Sequence, residues 1–193
     1  MEPVHWDQGS WLNPPPAAEV TAAGLTVTTA GGSDFWRTTY YGFERDSGHA
    51  LLTDLRVGEA LEVDFVVDFE ETYDQAGLLL RAAESRWVKA GVEMSDGAPQ
   101  VGAVVTDGVS DWSCSPVPAW QGRTVTVRAS LTPGAVVVRA RAEGEPWILV
   151  RLAPFRTDVP VCAGAFCASP EREGLVVGFS AVRRGPADRE LHA

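Results

Sequence analysis

Residues 86–97, RWVKAGVEMSDG, place an aromatic ring, a cation and a carboxylate at alternate positions of one short segment. Successive side chains of a strand point to opposite faces, so residues with this spacing share one face. The residues on that face are Trp87, Lys89, Gly91 and Glu93. An indole ring that stacks, an ammonium group that donates hydrogen bonds and a carboxylate that accepts them could together bind a polar ligand.

The Asp96-Gly97 dipeptide predicts a two-residue hairpin turn, because both residues tolerate the positive φ angles of a type I′ turn. This turn and a three-residue loop at 83–85 set the register of three antiparallel strands near 75–82, 86–94 and 99–106. The predicted cross-strand pairs are Ser95–Ala98, Glu93–Gln100, Gly91–Gly102, Lys89–Val104, Trp87–Thr106, Arg81–Trp87, Leu79–Lys89, Gly77–Gly91 and Gln75–Glu93.

This register aligns three glycines, Gly77, Gly91 and Gly102, in one row across the polar face. Glycines inside strands often mark the close approach of a ligand or of another chain segment. We interpret the row as the floor of an open trough. Its predicted walls are Gln75, Arg81, Trp87, Lys89, Glu93, Gln100 and Thr106.

An open trough has consequences for mutants. We expect Gly91→Val to be neutral or stabilising, since glycine is a poor strand former. We expect Trp87→Ala and Arg81→Ala to abolish ligand binding with little change in stability. In the alternative interpretation, Lys89 and Glu93 are ordinary solvated residues, and the glycines accommodate a loop or an aromatic ring that lies over the sheet.

Other segments offer side chains that could reach the same face. They are Trp36, Arg37, Tyr40 and Tyr41 in DFWRTTYYGF, His49 after RDSGH, Asp74, and Asp111 with Trp112 in SDWS. Alternation places Trp36 with Tyr40 on one face and Arg37 with Tyr41 on the other, so only one pair can line the trough. The candidate ligand-binding residues are Trp36, Arg37, His49, Gln75, Arg81, Trp87, Lys89, Glu93, Asp111 and Trp112.

The elements that must position these residues are strands. Short alternating or apolar runs recur about every ten residues with turn residues between them, and helical periodicity is nearly absent. A single open sheet of about a dozen strands would curl or split, so the pattern predicts an all-β fold of two packed antiparallel sheets, a sandwich or jelly roll. We expect one domain over residues 1–193, with a core at about 10–183, a surface lead-in at 10–19 and a flexible tail at 184–193.

Composition argues against several partners and cofactors. The formal net charge is −10, and no run of Lys or Arg could neutralise the phosphates of a nucleic acid or an anionic membrane. Neither a signal peptide nor an apolar run of about 20 residues is present, so we expect a cytoplasmic protein. No motif predicts a metal or another cofactor. The three cysteines, Cys114, Cys162 and Cys167, are expected to be reduced thiols.

Five ordered motifs carry a resemblance to a known family. They are DFWRTTYYGFERDSGH (34–49), YDQAGLLLR (73–81), WVKAGVE (87–93), VVTDGVSDWS (104–113) and CASPEREGLVVGF (167–179). Over roughly residues 10–183 the chain resembles a bacterial and fungal family of unknown function of the "regulation of enolase" type. The resemblance implies a concanavalin A-like sandwich of the lectin and glucanase kind. It implies no activity, because the family has no established catalytic residues to carry over.

The sequence favours a module that binds a carbohydrate or another small polar ligand. Sandwiches of this shape often present aromatic rings that stack on sugar rings beside polar groups that bond hydroxyls. A regulatory or protein-interaction module is an alternative that the family resemblance alone suggests.

A glycoside hydrolase or lyase is the other alternative. It would need two carboxyl groups facing each other, about 5–5.5 Å apart for a retaining mechanism or about 6.5–9.5 Å apart for an inverting one. Glucanase relatives of the fold carry E-x-D-x-E or E-x-D-x-x-E on one strand. The nearest stretch here, EVDFVVDFEE (62–71), has Val66 and Val67 where the third acid would be. We therefore expect a solvated outer edge rather than a catalytic set at its acids, which are Glu62, Asp64, Asp68 and Glu70.

Overall fold

Between residues 1 and 191, the part of the chain that the computed structural model describes, seventeen strands form two antiparallel sheets and a separate hairpin. The first sheet runs β15 (Ile148–Pro154), β14 (Ala135–Ala142), β13 (Thr124–Thr132), β8 (Glu59–Val66), β17 (Val176–Pro186), β4 (Gly24–Thr28) and β3 (Ala17–Thr21), with β1 (Glu2–Pro3) on β17. The second runs β12 (Val109–Pro116), β11 (Ala98–Asp107), β10 (Arg86–Ser95), β9 (Gln75–Ala83), β16 (Val161–Ala168), β7 (His49–Leu55) and β2 (Ser10–Leu12). The hairpin consists of β5 (Phe35–Arg37) and β6 (Glu44–Asp46), and two short 3₁₀ helices span Trp6–Gln8 and Pro118–Trp120.

The main core lies between the two sheets, as period-two alternation predicts. On β8, Leu61, Val63 and Phe65 point inward and are fully buried, and they face Leu78 and Leu80 of β9 in the same apolar cluster. Burying one such side chain stabilises the fold by about 1.5–3 kcal/mol. The predicted two-sheet sandwich is confirmed.

The register of the central strands is also confirmed. Asp96 and Gly97 have φ angles of 53° and 77°, which a type I′ turn requires. Every predicted pair from Gln75–Glu93 to Trp87–Thr106 is formed. The predicted three-residue loop at 83–85 is wrong, because Ala83 pairs with Arg86 and the turn consists of Glu84 and Ser85 alone. A bulge that leaves Ala82 unpaired restores the predicted pair of Arg81 with Trp87.

The glycine row does not form an open floor. A Cβ atom on Gly91 would lie 2.1 Å from the Ala76 carbonyl oxygen, and one on Gly77 would lie 2.1 Å from the Ala90 carbonyl oxygen. Carbon and oxygen at that distance overlap strongly, and the obstructing atoms belong to the backbone, which cannot rotate away. The expectation that Gly91→Val is neutral or stabilising is therefore wrong. The glycines are needed because neighbouring strands approach closely at this point.

The β5–β6 hairpin covers part of the outer face of the second sheet, so that face is not open either. Two side chains of the hairpin, Phe35 and Trp36, pack with residues of the sheet in a second buried cluster. The sheet contributes Ala50, Leu79, Trp87, Val104 and Phe166. Trp87 is 1% exposed, and its ring centroid lies 5.9 Å from that of Phe35. Trp87 is therefore a core residue. The prediction that it binds a ligand and can be removed without loss of stability is wrong.

The acids of β8 are ion-paired rather than solvated. Glu62 is 7% exposed and accepts hydrogen bonds from Arg128 (2.9 Å) and Arg183 (3.2 Å). Arg183 also holds Asp64 through two further bonds of 2.6 and 2.7 Å. The expectation of a solvated edge fails for these two carboxylates, because arginines of β13 and β17 lie across them. Asp68 and Glu70 are exposed, as expected.

Both ends of the described chain meet on this sheet. β17 continues to Pro186, and the Asp188 carboxylate then accepts hydrogen bonds from Arg128 and Arg139, both at 2.9 Å. The Met1 sulfur also lies 3.3 Å from Arg128. Of the segment 184–193, for which we predicted a flexible tail, residues 184–191 make these and neighbouring contacts, and residues 192–193 lie outside the described residues.

The lead-in 10–19 passes from one sheet to the other. β2 is an edge strand of the second sheet, and β3 begins at Ala17 on the edge of the first, with the three prolines between them. This placement agrees with the predicted surface segment, because proline cannot donate to a central ladder. Among residues 1–191 no helix is long and apolar enough to cross a bilayer.

Candidate ligand-binding pocket

A pocket of about 230 Å³ opens where the β5–β6 hairpin meets the second sheet. We call it the Glu93 pocket, and it is lined by Asp34, Trp36, Tyr41, Phe43, Arg45, Tyr73, Gln75, Lys89, Glu93, Val104, Trp112, Pro170 and Glu171. A narrower recess of about 20 Å³ shares Gln75, Lys89 and Glu93 and reaches Cys114. Because sites for drug-sized ligands usually measure about 300–1,000 Å³, the Glu93 pocket suits a smaller molecule.

Lys89 forms the polar floor of the pocket and is 5% exposed. Its Nζ donates to Asp34 Oδ1 at 2.7 Å and to Gln75 Oε1 at 2.8 Å. Asp34 Oδ1 also accepts from the Phe35 backbone N–H at 2.8 Å. A buried ammonium group is tolerated only when it is paired and hydrogen-bonded in this way. The positive charge of Lys89 is thus compensated by the protein itself.

Glu93 follows Lys89 by four positions on β10, and its surroundings differ from those of Lys89. Among residues 1–191, no backbone or side-chain group forms a hydrogen bond or ion pair with its carboxylate, whose oxygens reach the pocket space. Burial, opposed by Lys89 and supported by Asp34, raises the pKa of Glu93 to about 7. Glu93 is half-buried and its carboxylate faces the pocket, so a bound ligand can supply the partner that the protein does not.

Aromatic rings form the opposite wall. The Tyr41 ring meets Trp36 edge-on at a centroid distance of 5.5 Å and stacks on Phe43 at 5.4 Å. The Trp36 indole N–H donates to the Thr39 carbonyl at 3.0 Å, which fixes the orientation of the ring. Trp112, which is 37% exposed, also lines the pocket. The pocket therefore offers flat apolar surfaces beside the polar floor.

The loop that carries this wall has a strained backbone. Thr38 and Tyr40 have φ angles of 62° and 63°, and Tyr73, across the pocket, has 65°. Positive φ is unusual for residues other than glycine and costs of order 1–3 kcal/mol at each. The Thr38 N–H donates to the Phe43 carbonyl at 2.8 Å and holds the loop closed. Interaction with the Tyr41 hydroxyl, burial and nearby acids raise the pKa of Tyr73 to about 12.

Comparison with known proteins places this chain in a family. The sequence pattern of the family described as "Protein of unknown function (DUF1349)" matches residues 11–187. This chain belongs to that family. "Regulation of enolase protein 1" of Saccharomyces cerevisiae is 39% identical over 173 residues, which are 90% of this chain and 87% of the yeast protein.

Solved structures agree with this family assignment. The crystal structure of a functionally unknown protein from Saccharomyces cerevisiae is 36% identical, has a TM-score of 0.90 and covers 96% of this chain and all of that chain. A xylan β-1,4-xylosidase from Bacillus halodurans is 15% identical, with a TM-score of 0.72 over 94% of this chain but only 37% of the xylosidase. The likeness to the xylosidase concerns the fold alone. The predicted resemblance and the lectin and glucanase type of sandwich are confirmed.

In this DUF1349 protein, half of the predicted ligand-binding residues lie together at the pocket. They are Trp36, Gln75, Lys89, Glu93 and Trp112. Trp36 is joined there by Tyr41 rather than by Tyr40, which is 95% exposed. Strict alternation fails because β5 ends at Arg37 and the chain then enters the strained loop.

The other predicted residues have structural contacts elsewhere. Arg37 donates to Glu44 at 3.1 Å and to the Gly108 carbonyl at 3.2 Å, Arg81 pairs with both carboxylate oxygens of Asp46, and Asp111 pairs with Arg151 at 2.9 Å. His49 accepts the Ala30 N–H at 3.0 Å and lies 2.7 Å from the Asn13 carbonyl, so it is a neutral ring in a buried position. Asp74 is likewise held by Arg172. None of these residues, nor the core residue Trp87, lines the pocket.

Sequence reasoning missed several pocket residues. Asp34 is the first residue of the motif DFWRTTYYGFERDSGH, and Pro170 and Glu171 belong to the motif CASPEREGLVVGF; both motifs carry the family resemblance. Their position within these motifs is the feature of the sequence that could have identified them as site residues, because strand alternation says nothing about residues in loops. Among residues 1–191 no group of three or more His, Cys, Asp or Glu residues could hold a metal ion.

Proposed function

We propose that this protein is a binding module that takes a carbohydrate or a comparably small polar ligand into the Glu93 pocket. The observation that carries the proposal is the Glu93 carboxylate, which is half-buried, lacks a partner among the described residues and faces the pocket. A ligand group that bonds to it would complete the site.

The surroundings suit a ring with hydroxyl groups. Tyr41 and Trp112, which are exposed, provide ring surface on which an apolar sugar face can stack, and the buried Trp36 backs the wall. Lys89 has three N–H donors and uses two of them within the protein, which leaves one for a ligand. Sensing a small metabolite would also suit a regulatory role of the kind that the name of the yeast relative describes.

The test is a thermal-shift screen of monosaccharides and other small polar metabolites against the wild type and two variants. A ligand at about 100 times its Kd should stabilise the wild type by about 2.7 kcal/mol. We expect the shift to be lost in Trp112→Ala and retained in Trp147→Ala, because Trp147 stacks on Arg141 away from the pocket. Equal shifts in both variants would place the binding site elsewhere.

A second candidate function is glycoside hydrolysis, favoured by the raised pKa of Glu93. A carboxylic acid that keeps its proton near neutral pH suits a general acid. The other carboxylate of the floor, Asp34, is engaged by Lys89 and by the Phe35 N–H, which makes it a weaker nucleophile. Release of nitrophenol from aryl glycosides by the wild type, and its absence in Glu93→Gln, would favour the enzyme over the binding module.

A further inference from the structure

We infer that the ligand of the Glu93 pocket carries a positively charged nitrogen, such as the ammonium group of an amino sugar or of another small amine. This inference rests on the proposed function and names the class of ligand. It follows from the charges and rings that line the pocket.

Charge pairing within the pocket leaves a carboxylate free. The lining contains three acids, Asp34, Glu93 and Glu171, and two cations, Lys89 and Arg45. Asp34 and Lys89 neutralise each other at 2.7 Å. Neither Glu93 nor Glu171 forms an ion pair with another of the described residues. The charge that remains to be matched inside the pocket is therefore negative.

Arg45 does not fill this need. Its guanidinium group lies 4.9 Å from the centroid of the Phe43 ring and donates to the Gly32 carbonyl at 3.3 Å. The same contact shows that the pocket mouth already accommodates a cation on an aromatic face. Cations bind over such faces with about 0.5–2 kcal/mol of stabilisation. The other rings of the lining are Trp36, Tyr41, Tyr73 and Trp112.

A neutral ligand would satisfy Glu93 only in part. A hydroxyl group can bond to the carboxyl, but it leaves the negative charge of the half-buried carboxylate uncompensated. An ammonium group compensates that charge, and the overall charge of −10 attracts cations toward the protein. The titratable and charged groups that line the pocket with Glu93 are Asp34, Tyr41, Arg45, Tyr73, Lys89 and Glu171, and Cys114 lines the adjoining recess. Of the two cations, Lys89 is already paired and Arg45 lies on the Phe43 ring.

Binding of an ammonium group should also release a proton. Near pH 7 part of the Glu93 population carries a proton, and a cation that favours the carboxylate displaces it to the buffer. The ligand keeps its own proton. Each protein molecule that was protonated at Glu93 therefore releases one proton to the buffer when it binds the ligand.

Isothermal titration with matched probes tests the inference. Glucosamine is compared with glucose and N-acetylglucosamine, and choline with its neutral isostere dimethylbutanol, at pH 7 in two buffers of different ionisation enthalpy. We expect at least one amine to bind at least about tenfold more tightly than its neutral counterpart, with proton release, a difference of about 1.4 kcal/mol. Glu93→Gln should lose this preference, whereas Glu84→Gln, on an exposed turn, should keep it.

The outcomes separate the inference from the proposed function. If a neutral sugar binds as tightly as its amine, the inference is overturned and the proposed function stands. If no probe binds, both are overturned. A second measurement needs no variant: amine affinity in the wild type should fall by about tenfold or more between about pH 7.5 and pH 5, as Glu93 becomes protonated. Unchanged affinity would contradict the inference.

Discussion

Glu93 and Lys89 stand four positions apart on β10 and meet the cost of burial in different ways. Lys89 stays charged because Asp34 and Gln75 surround its ammonium group. Glu93 has no such partner, and burial shifts its pKa to about 7, so that it is neutral over much of the acidic range. We therefore expect replacement of Glu93 to stabilise the protein and replacement of Lys89 to destabilise it.

Replacing Glu93 by glutamine should stabilise the protein at alkaline pH. The folded-state pKa is raised from 4.5 to about 7, so the stability that Glu93 contributes is fully present below about pH 4.5 and is lost as pH rises through 7. The free energy of unfolding of Glu93→Gln relative to the wild type should therefore increase by about 3 kcal/mol between about pH 4 and pH 8. Urea unfolding across this range measures it, with Glu84→Gln as the control. A constant difference would contradict the assigned pKa.

Replacing Lys89 by methionine should destabilise the protein strongly. The change leaves Asp34 buried without its cation, which typically costs about 3–5 kcal/mol. Adding Asp34→Asn removes the uncompensated charge and keeps an acceptor for the Phe35 N–H. We expect the double variant to be more stable than Lys89→Met alone, and chemical denaturation of the four proteins of this cycle gives the coupling energy. Additive losses would show that the pair is not coupled.

At the scale of elements, the β5–β6 hairpin turns a flat sheet face into a pocket. It contributes Phe35 to the second core and Trp36 to the pocket wall, and its end is tied to the sheet by Asp46 and Arg81. The sheet in turn must keep its strands close where the glycines lie.

Gly91→Ala should lower the free energy of unfolding by about 2 kcal/mol or more, since its Cβ would overlap the Ala76 carbonyl oxygen. Gly178, in β17, is the matched control, because a Cβ there meets open space. Gly178→Ala should be neutral or stabilise by up to about 1 kcal/mol. Thermal melts of both variants compare the two sites, and equal effects would refute the close approach of strands at Gly91.

Trp87→Ala should destabilise the protein by about 3–5 kcal/mol, as loss of a fully buried aromatic side chain does. Trp112→Ala, at a partly exposed residue of the pocket, should change stability by less than about 1 kcal/mol. Denaturant titration followed by circular dichroism compares them. A small loss for Trp87→Ala would mean that the hairpin does not cover the sheet.

The sequence allowed the register of β9, β10 and β11 to be predicted pair by pair, because a two-residue turn and period-two alternation are local properties. It did not show that Phe35 would cover Trp87, since contacts 52 positions apart leave no local pattern in a single chain. The polar face was therefore predicted correctly for Lys89 and Glu93 and wrongly for Trp87. Arg81 was misassigned for the same reason, because its partner Asp46 arrives with the hairpin.

At the scale of the whole molecule, the three cysteines lie at three different depths in the sandwich. Cys114 is exposed at the edge strand β12, Cys162 is half-buried, and Cys167 is buried between the sheets. Burial raises the pKa of all three thiols, so none is strongly activated.

Labelling with a thiol reagent at about pH 8 should therefore proceed in an order set by exposure. We expect Cys114 to react first, Cys162 more slowly, and Cys167 only when the whole protein unfolds. Mass spectrometry of labelled peptides identifies each site, and Cys114→Ser should remove the fast phase. Early labelling of Cys167 would indicate that the sheets separate locally. Because Cys114 lines the recess beneath Glu93, a bound ligand should slow its reaction.

The pairing of β1 with β17 brings residues 1–3 and the segment that follows β17 to one corner of the sandwich, where Met1 and Asp188 both contact Arg128. A short linker could join Met1 to a chain shortened to Asp188, and new termini could be cut at the exposed Pro133-Gly134 turn. Such a circular permutant would keep every strand pair and the Glu93 pocket on the other sheet. For the same reason residues 1–188 could be inserted into a surface loop of a host protein without forcing that loop apart, since Met1 and Asp188 lie beside the same arginine.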